Sequence, residues 1–449
     1  MKIVRFNDAL RIAALAATDA GLPVQWPVGL VRDVYGRLRF AVNAERADYP
    51  EPARLQLESR TAQLGAFATS ERVLFRDDFS DADALFSHPD WHQTLVVGNV
   101  EDEEEEGGLA PEIPVRLLDR QVTGQDWLRT EASESGAAHP PRIVFYGLKG
   151  GVGRSTALAM LAYRLARDGK RVLLIDFDLE SPGLSGLLLP EERVAPFGLV
   201  DWFVEDAVGQ ADDVLFDLVS DSPLAEQSTG SIRVAAAMGN GETAYLAKLA
   251  RVYADVPNPG GGVQRFAQRM QRVVEALEAQ EKPDVVLIDS RAGLHDVAAV
   301  SIAGLATVAL LFATNSPQNW QGYRQLFAHW QHRPEVLRHI RSRLAIVQAL
   351  FPETDQAARA ARFVQQSYDL FADHLYDQIE PGDTTPTDAF TFDMNDQAAP
   401  HFPWRVRWSP RLQEFDPLLR VEDGGADNTD IELAFGPFFQ EVISAVSGG

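Results

Sequence analysis

The sequence predicts an α/β protein: a doubly wound, mostly parallel sheet preceded by a smaller α+β domain. Beyond about residue 140, uninterrupted apolar runs alternate with segments of helical spacing. That pattern marks strands covered on both faces by crossover helices. One run leads directly into a glycine-rich turn and then a helix, a strand–loop–helix order with chemical meaning. Ahead of it, EASESGAAHPP at 131–141 is small, polar and ends in proline, which is linker chemistry. The 449 residues suit two to four domains at roughly 100–200 residues each. We therefore expect an N-terminal module at 1–135 and a larger domain at 136–449 that ends in a helical extension.

Within the first module, residues 7–20 set Leu10, Ala13, Ala14 and Ala17 on one helical face. Strand-like runs follow at Val28–Asp33 and Gly36–Val42, joined through VYGR as a hairpin. A second helix is expected over 52–68, with strands at Arg72–Phe75, Thr94–Val97 and Pro114–Leu118. The block EDEEEEGG at 101–108 reads as a solvated acidic loop. In the second domain, 142–147, 171–178, 285–289, 308–313 and 344–350 read as buried strands. Residues 155–168, 263–279 and 355–379 read as helices. A short strand is expected at Trp404–Trp408 and a final helix over 430–446. That helix carries Phe435, Phe438 and Phe439 but no basic residue. A membrane-surface helix is expected to be basic on its polar face, so docking on the domain core is the better reading.

Composition narrows the function classes. The net charge is −24, which opposes a polyanion and makes a general nucleic-acid or anionic-membrane role unexpected. The four arginines of 333–343 are accordingly read as a solvated helix end. There is no cysteine, which rules out disulfides, thiolate zinc sites and cysteine nucleophiles. No apolar run reaches the ~18–20 residues of a membrane span, and the N-terminus lacks a signal-peptide pattern. A soluble cytoplasmic protein is expected.

The most informative segment is Lys149-Gly-Gly-Val-Gly-Arg-Ser-Thr156. Glycines permit the tight turn that aims successive N–H groups at phosphate oxygens, and the following helix adds its dipole. Gly150, Gly151, Val152, Gly153, Arg154, Ser155 and Thr156 are thus candidate phosphate contacts. The Ser155 hydroxyl is placed as a Mg²⁺ ligand. The ordinary signature, G-x-x-x-x-G-K-[ST], is altered twice: Leu148 stands at the first glycine position and Arg154 at the lysine position. Carboxylates follow two later strands, Asp178 and Asp289, at the strand ends where such sheets bind ligands. Charge neutralisation and a positioned water are what phosphoryl transfer needs.

The run KGGVG with a second basic residue resembles the deviant Walker A motif of the MinD/ParA family of P-loop ATPases. With DFDLESPGL (176–184) and LIDSRAGL (287–294), it is similar to the bacterial subgroup named for its KGGVGR motif. The resemblance spans roughly 140–350. It implies that Lys149 is the signature lysine, reaching phosphates held by the other subunit of a nucleotide-sandwich dimer. It implies that Asp178 positions the attacking water, that Asp289 supports Mg²⁺, and that the Gly293 N–H senses the γ-phosphate. Asp176 is an orienting neighbour. ATP and Mg²⁺ are the implied cofactors and an ATP-dependent homodimer the implied assembly.

The reading is an ATP-binding, slowly hydrolysing switch in a bacterial regulatory or defence-type system, with a protein partner on the N-terminal module. Slow turnover is expected because Arg is not Lys in a tight phosphate site. The alternative is a nucleotide-binding scaffold without significant turnover. Asn315, Gln318 and Asn319 follow a strand end where the resemblance implies contacts to the base or the dimer partner, and the sequence does not choose among them.

Overall fold

Two apolar patterns, one per unit, organise the chain. The computed structural model describes residues 3–69, 73–97, 112–130, 139–240, 244–257, 262–379, 386, 388–412, 416–419, 422, 425 and 427–447. The acidic block at 101–108 and most of the 131–141 linker lie outside these. One unit comprises Met1–Gln125 with His332–Pro334, the other Asp126–Gln331 with Glu335–Gly449. Trp127 belongs to the larger unit because its indole is buried there, 6.0 Å from the Tyr146 ring and 5.9 Å from Trp330.

In the smaller unit, α1 (Phe6–Ala17) buries a run of alanines, Ala9, Ala13, Ala14, Ala16 and Ala17. Their small side chains allow close approach to the sheet. Strands β1 (Val28–Arg32) and β2 (Leu38–Val42) form the antiparallel hairpin. The turn is closed by Asp33, whose carboxylate accepts the N–H groups of Tyr35 and Arg37, and by Gly36 at φ +83°. Helices α2 (Glu51–Thr61) and α3 (Asp83–Phe86) and strands β3 (His92–Val97) and β4 (Glu112–Asp119) follow. Among the described residues the sheet order is β2-β1-β4-β3, with β1 and β4 parallel. Two expectations change. The helix expected over 52–68 ends at Thr61 and tightens into a 3₁₀ turn, Ala62–Phe67, where Gly65 takes φ 60°. The strand expected at Arg72–Phe75 has its first residue outside the described set. The remainder makes a single bridge, Leu74 to Ala41, because the chain meets the sheet for one residue only.

The larger unit runs β5 (Arg142–Gly147), α4 (Arg154–Arg167), β6 (Arg171–Phe177), α5 (Leu184–Leu188), α6 (Leu199–Asp206), α7 (Ala211–Leu215), β7 (Val219–Asp221), β8 (Ser231–Ala235) and α8 (Tyr245–Val252). A two-residue pair, β9 (Val256–Pro257) and β10 (Val263–Gln264), precedes α9 (Phe266–Glu281), β11 (Val285–Ser290) and α10 (Asp296–Ala299). Then come β12 (Val308–Ala313), α11 (Pro317–Gln331), α12 (Pro334–Ile340), β13 (Leu344–Phe351), α13 (Gln356–His374), β14 (Trp404–Arg407) and α14 (Asn428–Ser447). Among the described residues the main sheet has the order β14-β13-β12-β5-β11-β6-β8-β7. Its pairings are parallel except β7 with β8. No described helix is long and apolar enough to cross a membrane.

Successive strand residues point to opposite faces, and each face has its own core. Val144 and Tyr146 join Leu173, Ile175, Val286 and Ile288 against α6, α9, α11 and α13. Ile143 and Phe145 join Leu174, Leu287 and Phe312 against α4 and α14. The phenylalanines of α14 lie in this second core, Phe438 being 6.4 Å from Phe145 and 6.2 Å from Phe312.

Strand β5, which carries the glycine loop, is moored at its other end. Arg142 donates from Nε and Nη2 to the two carboxylate oxygens of Glu278 on α9, each at 2.7 Å. Both side chains are buried, at 3% and 9% exposure. Glu278→Gln would leave a buried guanidinium without its counter-charge. We expect it to cost about 3 kcal/mol in urea unfolding followed by tryptophan fluorescence. A change of only a few tenths would show that water reaches the pair.

Candidate functional site

Strand β5 lies between β12 and β11, and at Gly147 the chain turns through 148–153 into α4. Gly151 and Gly153 have φ of +75° and +80°, a region that strains other residues. Gly150 does not share that φ. A Cβ on Gly150 or Gly151 would meet no atom within 4 Å. Packing therefore does not require glycine at 150, whereas close approach of a ligand to the backbone would. Val152 is buried in the α4 core and anchors the loop from below. Arg154, Ser155 and Thr156 form the first turn of α4, where N–H groups lack helical acceptors and the dipole favours an anion. Beside the loop, Leu350 holds φ +51° and lies 3.7 Å from where a Cβ on Gly153 would stand.

The carboxylates converge from two adjacent strands. Asp176 and Asp289 are register partners across β6 and β11. Asp176 is fully buried and accepts backbone N–H bonds from Asp178, Gly183 and Leu184 at 3.1–3.2 Å. It thereby shapes the turn that presents Asp178. Asp289 accepts the Ser155 hydroxyl at 2.6 Å through Oδ2, while Oδ1 has no protein partner among the described residues. Burial, reinforced for Asp176 by the charge of Asp289, holds both carboxyls above the usual range. Asp178 is also raised by burial, opposed by Arg154 and Arg291 and reinforced by Glu180.

Arg154 is folded inward. Its Nη1 donates to the Ser290 carbonyl at 2.8 Å, and its Nη2 lies 3.4 Å from Asp178. Lys149 is exposed and donates to the Gln318 side-chain oxygen. The Gly293 N–H, expected to face phosphate, donates instead to the Gly147 carbonyl at 3.1 Å. The Gly293 carbonyl accepts from Tyr146 at 3.1 Å. In the segment after β12, Asn319 is buried and donates to Thr314, and Asn315 donates to the Arg359 carbonyl. Gln318 alone of the three meets a site residue. From the 333–343 patch, Arg341 pairs with Asp377 and Arg343 donates to the Ala306 carbonyl at 3.4 Å.

Sequence reasoning passed over a second charge cluster. Glu180 accepts the Tyr253 hydroxyl, pairs with Arg291 and lies 3.7 Å from His295 Nε2. Glu180 and Arg291 stand inside the DFDLESPGL and LIDSRAGL segments. Opposite charges within a few residues of the ends of two apolar strands, Glu180 after β6 and Arg291 after β11, were the available signal.

The buried carboxyl pair has a stability consequence. A raised folded pKa means that the folded state holds protons which the unfolded chain releases near ~4. Stability from that source is complete below the unfolded value and is lost as pH rises towards the folded values, about 6 for Asp289 and about 8 for Asp176. Asp289→Asn, which keeps an acceptor for Ser155, should therefore stabilise the nucleotide-free protein. The gain should be on the order of 1 kcal/mol at about pH 8 and should shrink towards about pH 5. Urea midpoints in the presence of a chelator check this, and a gain independent of pH would contradict it.

Residues 143–308 match the family model of the CobQ/CobB/MinD/ParA nucleotide binding domain. The chain is 50% identical over 52 residues to the chromosome-partitioning ATPase Soj of Thermus thermophilus, covering 12% of this chain and 21% of that protein. It thus spans about a fifth of that relative's length. Solved structures with similar folds include McdA of Cyanothece in its ATP complex, at 18% identity. The match covers 69% of this chain and 98% of that one, with a TM-score of 0.40. Another is pNOB8 ParA bound to nonspecific DNA, at 17% identity, 69% and 97% coverage and a TM-score of 0.40. Over residues 143–308 the chain is similar to the MinD/ParA class of P-loop nucleotide-binding domains, and the phosphate loop and both strand-end carboxylates fall within the match.

Proposed function

We propose that the chain is an ATP-binding molecular switch of the MinD/ParA type that hydrolyses ATP slowly to ADP and phosphate. The observation that carries this reading is the open glycine loop, beneath which Ser155 and Asp289 are already joined. Gly150–Thr156 would cradle the phosphates. The Ser155 hydroxyl and the partnerless Asp289 Oδ1 suit a hard cation with oxygen ligands. When bound, Mg²⁺ supplies positive charge against the phosphate oxygens. Asp178 orients the attacking water, and Arg154 takes the place of the usual loop lysine. Lys149, exposed at the loop's rim, is available to a facing subunit, so ATP would promote a homodimer. The smaller unit would engage a protein partner, in a cytoplasmic regulatory or defence-type system.

Gly153→Val places a branched side chain at φ +80°. Calorimetry should show ATP affinity reduced about tenfold or more, since the loop's backbone donors lose their alignment. An unchanged affinity would remove the loop from the site. Asp178→Ala should largely keep ATP binding and slow phosphate release on the order of a hundredfold. Equal rates would take Asp178 out of the mechanism.

Lys149→Ala should preserve folding and much of the ATP affinity while losing ATP-dependent dimerisation and most hydrolysis. Light scattering with ATP, ADP and no nucleotide checks this, using Asp178→Ala to hold the ATP state. A trapped protein that stays monomeric, or a Lys149→Ala protein that dimerises as well as the parent, would contradict the sandwich arrangement.

One observation favours the second reading, a nucleotide-binding scaffold. Arg154 is spent on Ser290 and Asp178, and the Gly293 N–H on Gly147. Hydrolysis would require these contacts to be exchanged. Tight ATP binding without phosphate release would establish the scaffold.

A further inference from the structure

Arg291 has no role in the reading above, yet its backbone is pinned to the phosphate site on both sides. The preceding residue, Ser290, gives its carbonyl to Arg154 at 2.8 Å. Two residues on, Gly293 gives its N–H to Gly147, where the phosphate loop begins, at 3.1 Å. The Arg291 guanidinium is turned to Glu180, two residues past Asp178. The side chains are 29% and 22% exposed overall, but the paired atoms, Arg291 Nη1 and Glu180 Oε2, are buried and not aligned as a hydrogen bond, so the contact leaves the guanidinium incompletely satisfied. The acceptor is nevertheless held in place. Tyr253, at the end of α8, donates its hydroxyl to Glu180. His295 stands 3.7 Å from the same carboxylate. The imidazole caps α10, with Nδ1 accepting the Val297 N–H at 3.3 Å, and its ring packs edge-on against Tyr253 at 5.3 Å. Glu180 therefore keeps a hydrogen bond if Arg291 leaves. A carboxylate that keeps its Tyr253 hydrogen bond while holding a guanidinium beside the glycine loop is an exchangeable arrangement. A terminal phosphate carries more charge than one carboxylate, and it matches the guanidinium fork.

We propose that Arg291 is a specificity-determining residue of the phosphate site, stored on Glu180 in the nucleotide-free chain and transferred to the terminal phosphate of a nucleoside triphosphate. The triphosphate is thereby preferred over the diphosphate, and the segments that follow β6 and β11 are uncoupled when it binds. This rests on the nucleotide-site reading above.

The test is calorimetry of the full chain with ATPγS and with ADP, each with Mg²⁺. The proteins are the parent, Arg291→Gln, Arg291→Lys, Glu180→Gln and the double variant Glu180→Gln/Arg291→Gln. Arg291→Gln should weaken ATPγS about tenfold or more, the scale of a lost charge-assisted hydrogen bond, and leave ADP within about twofold. Arg291→Lys should fall between, keeping the charge and losing the fork. Glu180→Gln should tighten ATPγS a few-fold, because the competing carboxylate charge is gone. The double variant should match Arg291→Gln alone, since releasing an absent guanidinium has no effect. An unaltered ATPγS-to-ADP preference in Arg291→Gln overturns the proposal, as does a double variant whose two effects simply add. Should Arg291→Gln fail to fold by circular dichroism, Glu180→Gln decides alone, and no tightening overturns the proposal. A parent that binds neither nucleotide sinks the site reading and this proposal together. A parent that binds both, with a preference surviving Arg291→Gln, sinks this proposal only.

Discussion

One buried guanidinium sets the terms for the whole site. Arg154 is 7% exposed and stands among carboxylates that β6 and β11 deliver to the same end of the sheet. A buried charge without partners costs several kcal/mol. Here the Ser290 carbonyl and Asp178 supply partners, and the charge of Arg154 in turn favours the ionised forms of Asp178 and Asp289. Asp176 and Asp289 would otherwise repel one another across paired strands. The charges at this end of the sheet thus satisfy one another.

The scaffold fixes where these groups stand. Strands β5, β6, β11 and β12 are buried on both faces, by two cores built from alternate residues. Their ends cannot shift without disturbing both. Beyond those ends lie the glycine loop, the turn after Asp178 and the Arg291–His295 segment.

An arginine in the lysine position fits the same logic. A lysine offers a compact charge on a flexible stem. The guanidinium of Arg154 instead reaches two acceptors at once, bridging Ser290 after β11 and Asp178 after β6. That bridge fastens the two carboxylate-bearing segments together in the resting chain. The Glu180–Arg291 pair is a second clasp between the same two segments.

Local patterning was sufficient for much of the fold. Apolar runs located β5, β6, β11, β12 and β13 to within a residue or two, because strands buried on both faces have little choice of side chain. The glycine loop was legible because φ +75° and +80° at Gly151 and Gly153 are conformations that other residues resist. Where local signals were mixed, tertiary contacts decided. Leu74 meets the sheet for one residue, Gly65 breaks the end of a helical pattern, and Trp127 carries the start of the larger unit ahead of the linker. The short strands β7 and β8 went unread for the same reason. The site divided in the same way. That Gly150–Thr156, Asp178 and Asp289 stand at or just past strand ends was legible from the chain alone, since the apolar pattern reveals β5, β6 and β11. The partners of Arg154, the engagement of the Gly293 N–H and the Glu180–Arg291 pair could not. They depend on β11 lying between β5 and β6, and strand order is settled by packing across the whole sheet rather than by any segment of sequence.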